Sequence, residues 1–252
     1  MEIQGKKAII VGGASGMANA AAKRLKERGA DIAILDLPSS NGAEEAKALG
    51  GSFFDVNVMD AEQVEASING AVEALGGAHI CINTAGGGIA KRTLTKEGPH
   101  PLEDFRRIIE LNLIATFNVS RLVADVMSKN EPEDDERGVI IQTASIAAFE
   151  GQIGQVAYAA AKAGIAGMTL VQARDLGSLG IRVVTVAPSL FATGLTAGIP
   201  QEFEDALTKD AAFPKRMGRP EEYGRLAVAI VENPMLNGGT IRLDAGQRFA
   251  PK

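Results

Sequence analysis

The stretch AIIVGGASGMA, Ala8 to Ala18, decides the fold. Four apolar residues read as a buried strand, the glycines at 12, 13 and 16 as a tight turn, and a helical pattern opens at Met17. Glycine lets the backbone turn sharply and come close to a ligand. A helix starting there offers unpaired N–H groups and the positive end of its dipole to a phosphate. A plain strand–helix turn would use the same residues, so the motif alone is a weak signal.

The next strand strengthens it. DIAILD ends at Asp36, twenty-four residues beyond Gly12. A carboxylate there accepts hydrogen bonds from the adenosine ribose hydroxyls and repels a 2′-phosphate, which points to NAD rather than NADP. The bland alternative is a strand-end aspartate opening the turn DLPSS. Asp55, closing SFFD, could meet the adenine amino group or be an ordinary loop residue.

Further along, apolar runs bounded by Gly, Asp or Asn keep recurring: HICIN, GVIIQT, IRVVTVA and TIRLD. Such continuous runs fit strands buried on both faces of a parallel sheet. Between the strands, residues 17–28, 41–49, 61–75, 101–128, 156–177 and 220–232 carry helical spacing. Seven strands alternating with six helices predict an α/β Rossmann fold, a doubly wound parallel sheet with helices on both faces. Residues 1–252 are expected to form a single dinucleotide-binding and catalytic domain. The run EPEDDER, 131–137, is expected to be a solvated loop.

Composition narrows the function. Lys and Arg number 26 against 31 Asp and Glu, a net charge of −5, and aromatics are only 4% with no Trp. That balance argues against a nucleic-acid partner. The lone Cys81 excludes an intrachain disulfide, suits a reducing compartment and is expected to be a buried strand residue. His79 and His100 are too few and too far apart for a metal site. The longest uncharged stretch, Val183–Gln201, holds two prolines and is no membrane span. The default expectation is a cytoplasmic protein.

The chemistry concentrates in YAAAK, which places Tyr158 and Lys162 at i and i+4 on one helix face. A phenol near pKa 10 is a poor base at neutral pH, and a nearby ammonium is expected to stabilise the phenolate. Tyr158 could then exchange a proton with an alcohol or ketone. Such a pair also arises by chance on a surface, but Ser145 lies thirteen residues upstream, just after the strand GVIIQT, where its hydroxyl could hold the substrate oxygen. Asn112 interrupts an apolar helical stretch, ELNLIATF. It could hold a water and break the helical bonding, or simply bond to backbone.

Together these residues resemble the short-chain dehydrogenase/reductase family, over essentially the whole sequence. The resemblance implies that Gly12, Ser15, Gly16 and Met17 cradle NAD and that Asp36 selects it. It implies that Asp55 and Val56 hold the adenine, and that Asn83, Thr84, Ala85 and Gly86, the segment NTAG, line the cofactor. Pro188, Phe191 and Thr193 of APSLFAT would border the nicotinamide. Asn112, Ser145, Tyr158 and Lys162 match the catalytic tetrad, with Tyr158 and Lys162 also touching cofactor and with Ser145 and Tyr158 on substrate. Non-catalytic segments such as TFNVSRLVADVM and ENPMLNGGTIRLD are similar to the type-2 3-hydroxyacyl-CoA dehydrogenase subgroup, which implies NAD-linked interconversion of 3-hydroxyacyl-CoA and 3-oxoacyl-CoA.

A 3-oxoacyl-carrier-protein reductase, a hydroxysteroid or alcohol dehydrogenase, and a non-catalytic NAD-bound interaction subunit are the alternatives. Departures from the family pattern are Val11, Ala18, His79 and Ser189. The first two bear on cofactor affinity. Residues 88–101 form a long connection whose Lys91, Arg92 and Lys96 either meet CoA phosphates or are solvated. The resemblance also implies a homotetramer or homodimer, for which the small residues of YAAAKAGIAGMTL offer a close-packing face.

Overall fold

The computed structural model describes residues 1–193 and 200–251. Its strands are β1 (Lys7–Val11), β2 (Asp31–Asp36), β3 (Ser52–Asp55), β4 (Ile80–Asn83), β5 (Gly138–Thr143), β6 (Ile181–Pro188) and β7 (Thr240–Leu243). They form one sheet in the order β3-β2-β1-β4-β5-β6-β7, every pair parallel. This is the expected Rossmann architecture, with strand boundaries at or near those expected.

Alternation within the strands explains the double winding. Ala8, Ile10, Ile32, Ile34, Ile80, Ile82, Val139, Ile141, Val184 and Val186 pack on one face against α1 (Gly16–Glu27), α2 (Gly42–Ala48) and α8 (Pro220–Glu232). Ile9, Val11, Ala33, Leu35, Cys81, Ile140 and Val183 point to the other face, towards α3 (Ala61–Leu75) and α5 (Ala115–Met127). With neither face free for water, each strand reads as an unbroken apolar run. Cys81 is fully buried, and burial pushes its thiol up to about 12.

Local signals set the helix ends. At the start of α3, Asp60 accepts hydrogen bonds from the N–H groups of Glu62 and Gln63, both 3.1 Å. Gly76 ends the helix in the left-handed region, φ 74°. The longest helix, α6 (Val156–Gly177), crosses behind β5 and β6.

The structure corrects three expectations. Residues 101–128 are not one helix: α4 (Leu102–Ile109) passes through a π-turn, Glu110–Ile114, into α5. A further helix, α7 (Gln201–Thr208), follows residues 194–199, which lie outside the described residues. Thus eight α-helices, rather than six, appear among the described residues, and the 88–101 connection carries a two-residue hairpin pairing Leu94–Thr95 with Gly98–Pro99. The third correction is that the acidic run is not wholly solvated. Glu136 lies buried against Arg182 at 2.7 Å, and its other oxygen accepts from the Met1 amine at 3.0 Å. Arg182 also donates to the carbonyls of Ile230, Val231, Asn233 and Leu236, closing the C-terminal end of α8. Among the described residues no helix is long and apolar enough to cross a membrane.

Removing Arg182 takes from the buried Glu136 one of its two cations and from the end of α8 the donor to four carbonyls, a loss of about 3 kcal/mol. Arg182→Met is therefore expected to lower stability by about 3 kcal/mol in urea unfolding, and adding Glu136→Leu should restore part of the loss. An unchanged midpoint for the single variant would show that Arg182 closes nothing.

Candidate active site

The strand order reverses at β1, which has β2 on one side and β4 on the other. Crossovers leave in opposite directions there, opening a crevice at the carboxyl ends of the strands. A cavity of about 580 Å³ occupies it. Gly12, Ser15, Gly16 and Met17 line it from the first turn, Asp36 and Val56 from the β2 and β3 ends, Thr84, Ala85 and Gly86 from β4, and Thr193 from beyond β6.

The first turn is shaped for a ligand. Gly12 and Gly16 have φ of 77° and 57°, and a Cβ on Gly12 would come within 3.0 Å of Ala85 N and Thr84 Oγ1. Ser15 precedes α1 without capping it through its side chain, so the first N–H groups of the helix are left facing the crevice. Asp36 Oδ2 accepts from the N–H of Ala14 at 2.9 Å, while Oδ1 accepts from the N–H of Leu37 at 2.7 Å. The carboxylate thus braces the glycine turn and still lines the cavity.

Two expected members stand outside the wall. Asp55 is exposed and absent from the lining, where Val56 takes its place. Asn83 is buried, and its Oδ1 accepts from Ala85 N at 3.0 Å, so it shapes the turn from behind. Sequence reasoning missed Leu35, Leu37, Asn57, Val58, Met59 and Leu111. The third strand closes at Asp55 as expected, and no role was read into the residues that follow Val56. The readable signal was the rule that every strand end beside a switch point faces the crevice.

A second cavity of about 390 Å³ holds Ser145, Tyr158, Lys162, Pro188 and Phe191. Met17, Thr84, Gly86 and Thr193 line both cavities, so the two form one continuous cleft. Ser145 opens a 3₁₀ turn, Ile146–Ala148, directly after β5, and its Oγ accepts from the N–H of Ala147 at 3.1 Å. Tyr158 and Lys162 project from the first turns of α6. A Cβ on Gly88 would come within 3.1 Å of the Tyr158 ring, so the backbone there packs closely on the phenol.

The electrostatics differ from the expectation. Lys162 is only 4% exposed; its Nζ donates to the carbonyl oxygen of Thr143 at 2.9 Å and lies 5.5 Å from the Tyr158 ring centre. Burial pulls its pKa down to about 8. The Tyr158 phenol is raised rather than lowered: burial pushes it up, and a hydrogen bond with Ser145 offsets this in part. A neighbouring ammonium therefore does not by itself make this phenol a ready base.

Asn112 sits in the π-turn, fully buried. Its amide nitrogen donates to the carbonyls of Gly87 (2.8 Å) and Ile108 (2.9 Å), and its oxygen accepts from the N–H of Gly87 at 3.2 Å. It clamps the backbone after β4 to α4, which is the backbone-bonded alternative, and it does break the regular helical ladder. Val11 and Ala18 pack in the two core faces and line neither cavity, whereas Ser189 lines the second. Lys91 is tied to Asp104 at 2.6 Å and its N–H to the carbonyl of Gly154 at 2.8 Å, so it is not a free cation. Among the described residues no cluster of His, Cys, Asp or Glu could hold a metal ion.

Comparison with known proteins gives the family. Residues 12–248 match the family model described as enoyl-(acyl carrier protein) reductase. The chain is 50% identical to 3-hydroxyacyl-CoA dehydrogenase type-2 of Rattus norvegicus, over 99% of this chain and 97% of that one. The crystal structure of 3-hydroxyacyl-CoA dehydrogenase type-2 from Mycobacterium avium superposes with a TM-score of 0.94 at 42% identity, covering 98% of each chain. A 7α-hydroxysteroid dehydrogenase complexed with NADH and 7-oxo glycochenodeoxycholic acid gives 0.85 at 28% identity, covering 100% of this chain and 97% of that one. The chain belongs to the short-chain dehydrogenase/reductase family of oxidoreductases.

Proposed function

We propose that the protein interconverts 3-hydroxyacyl-CoA and 3-oxoacyl-CoA using NAD. The observation that carries this is the continuity of the cleft: the Ser145–Tyr158–Lys162 set opens directly into the glycine-lined crevice that ends at Asp36. That crevice fits a dinucleotide, with close backbone approach at Gly12 and Gly16, helix N–H groups for the pyrophosphate and a carboxylate for the ribose. Asp36 disfavours a 2′-phosphate and so separates this reading from an NADPH-linked carrier-protein reductase. The relatives named for 3-hydroxyacyl-CoA supply the substrate class.

Bound NAD would supply the hydride acceptor or donor; the chain supplies position and proton movement. Ser145 holds the substrate oxygen at the strand end. Tyr158 exchanges the proton on that oxygen. Its raised pKa keeps the phenol protonated and ready to donate in the direction of reduction. In the direction of oxidation the phenolate must form, and the Lys162 ammonium, still mostly charged at pH 7 with a pKa of about 8, is the cation the chain places beside it. Asn112 holds the 87 backbone that floors the cleft. On the loop, Arg92 and Lys96, rather than Lys91, are the cations offered to CoA phosphates.

We also infer a homodimer or homotetramer. Ile114 at the end of the π-turn, Phe117 at the start of α5 and Leu170 and Val171 on α6 are 47%, 50%, 46% and 54% exposed, and such apolar side chains favour cover by another copy. The buried, unpaired cysteine suits the reducing cytoplasm.

Initial rates test the reading directly. Acetoacetyl-CoA should be reduced with NADH at least tenfold faster than with NADPH. Tyr158→Phe should lose about 10³-fold or more in kcat while binding NADH within a few-fold of the parent. No turnover by the parent, or full turnover by the variant, would end the proposal.

The buried Lys162 gives a second expectation. Its folded pKa of about 8 lies below the ordinary value of 10.5, so between these pH values the unfolded chain binds more protons and stability rises with pH. Below pH 8 the full penalty applies, at most about 3 kcal/mol. Lys162→Met should abolish turnover yet resist urea better than the parent at pH 7, with the gap closing towards pH 10.5. A gap that does not change with pH would show that burying the charge is not its source.

Sedimentation velocity checks the association. The expected species is a dimer or tetramer, with Phe117→Glu shifting it towards monomer; a monomeric parent at micromolar concentration would refute it.

A further inference from the structure

Behind the candidate catalytic strand, five buried polar side chains bond to one another: Ser120 of α5, Gln142 of β5, Thr169 and Gln172 of α6, and Thr185 of β6. Gln142 is their hub. Its Nε2 donates to Ser120 Oγ at 2.9 Å and to Gln172 Oε1 at 2.6 Å, and its Oε1 accepts from Thr185 Oγ1 at 3.3 Å. Thr185 Oγ1 lies 2.6 Å from Thr169 Oγ1, and Ser120 Oγ donates to the carbonyl of Thr116 at 2.8 Å. Thr169 Oγ1 also donates to the carbonyl of Ile165 at 2.9 Å, so the two threonine hydroxyls share their protons among Ile165, Gln142 and each other, while Gln142 gives to Ser120 and Gln172, and Ser120 to Thr116.

We propose that Gln142 is a positioning residue: the hydrogen bonds it gathers fix the register of α6 against β5, and so the placement of Tyr158 and Lys162 relative to Ser145. This rests on the oxidoreductase reading above.

Three observations carry it. First, the network joins the elements that hold the reacting groups. β5 runs through Gln142 to Thr143, whose carbonyl receives Lys162 Nζ, and on to Ser145. α6 carries Tyr158 and Lys162, and α5 continues the π-turn of Asn112. Second, apart from Lys162, whose Nζ meets the Thr143 carbonyl beside the cleft, the rest of the buried face of α6 gives no register: it is Ala157, Ala161, Ile165 and Ala173, apolar groups whose contacts are non-directional. Sliding by one residue would move the helix about 1.5 Å, and a misplacement of about 1 Å can cost about 10²-fold in rate. Third, Thr169 and Gln172 lie ~10 and ~15 Å along the helix from Lys162, so they peg α6 without touching the cleft, and neither lines it. Gln142 pairs in register with Thr185 on β6, which places both on the same face of the sheet beneath the helix. Burying polar groups is rarely the cheapest route to stability, and fixing register is the best-attested use of such a network.

The test is Gln142→Met, which keeps length and volume and removes the hub. The expected result with acetoacetyl-CoA and NADH is a kcat at least tenfold below the parent. The KM values for both reactants should stay within about threefold, and the melting temperature should be unchanged or higher. The deuterium isotope effect with NADH labelled at the transferred position should grow. A kcat within twofold of the parent would overturn the proposal, as would a loss that vanishes on cooling well below the melting point, since that loss would be unfolding. Thr185→Val, which deletes one peg and keeps the shape, serves if Gln142→Met fails to fold; the same kcat loss is expected, and parental kcat again overturns it.

A readout independent of turnover separates this idea from the reaction itself. The chain has two tyrosines, Tyr158 and Tyr223. With ¹³Cζ-labelled tyrosine, the Tyr158 signal should move in Gln142→Met by more than the Tyr223 signal. An unmoved Tyr158 signal would refute the register argument even if the parent proved inactive on acetoacetyl-CoA.

Discussion

A lysine ammonium held out of water against the last carbonyl of a strand is the constraint on which the rest of this molecule depends. Lys162 can reach Thr143 only if α6 lies flat behind the sheet and β5 stops where it does. That carbonyl in turn keeps the ammonium beside Tyr158 and within 3.4 Å of where a Cβ on Gly86 would stand. Two core faces, each built from alternate residues of the same strands, supply the rigidity that holds a cation in so costly a place. The molecule gives up stability there, and the candidate chemistry depends on the same atom.

Much of this was legible in the chain. A parallel sheet covered on both faces leaves its strands as plain apolar runs, and Gly12, Asp36, Ser145 and the Tyr158–Lys162 pair all fall where those runs end or where the next helix begins. What was illegible has physical reasons. Asn112 was legible as a break in an apolar helix, but its bonds to Gly87, twenty-five residues away, were not, because no local periodicity carries that information. Glu136 looks like one acid among several until Arg182, forty-six residues on, is folded against it. α7 is only eight residues long and leaves Phe203 and Leu207 exposed, so it buries little apolar surface that could have marked it as a core helix. The direction of the Tyr158 shift was missed because sequence gives neighbours but not burial.

Asn112 and Gln142 show two ways of using a buried amide. Asn112 replaces main-chain hydrogen bonds at an interrupted helix and pins the backbone in front of the sheet. Gln142 sits behind the sheet and ties strand to helix through other side chains. Both are satisfied by the protein itself, so neither leaves a lone polar atom as a penalty. One secures the cleft floor, the other ties β5 to the helix that carries Tyr158 and Lys162.

The bond from the Ala14 N–H to Asp36 couples two properties that are usually treated as separable. The oxygen that would discriminate between the two nicotinamide coenzymes is also a strut under the phosphate-facing turn. Redesigning coenzyme choice by neutralising this acid would loosen the turn at the same stroke. A successful switch would have to bring its own replacement acceptor for Ala14, and screening the ribose contact alone would discard candidates whose only fault is a slackened loop.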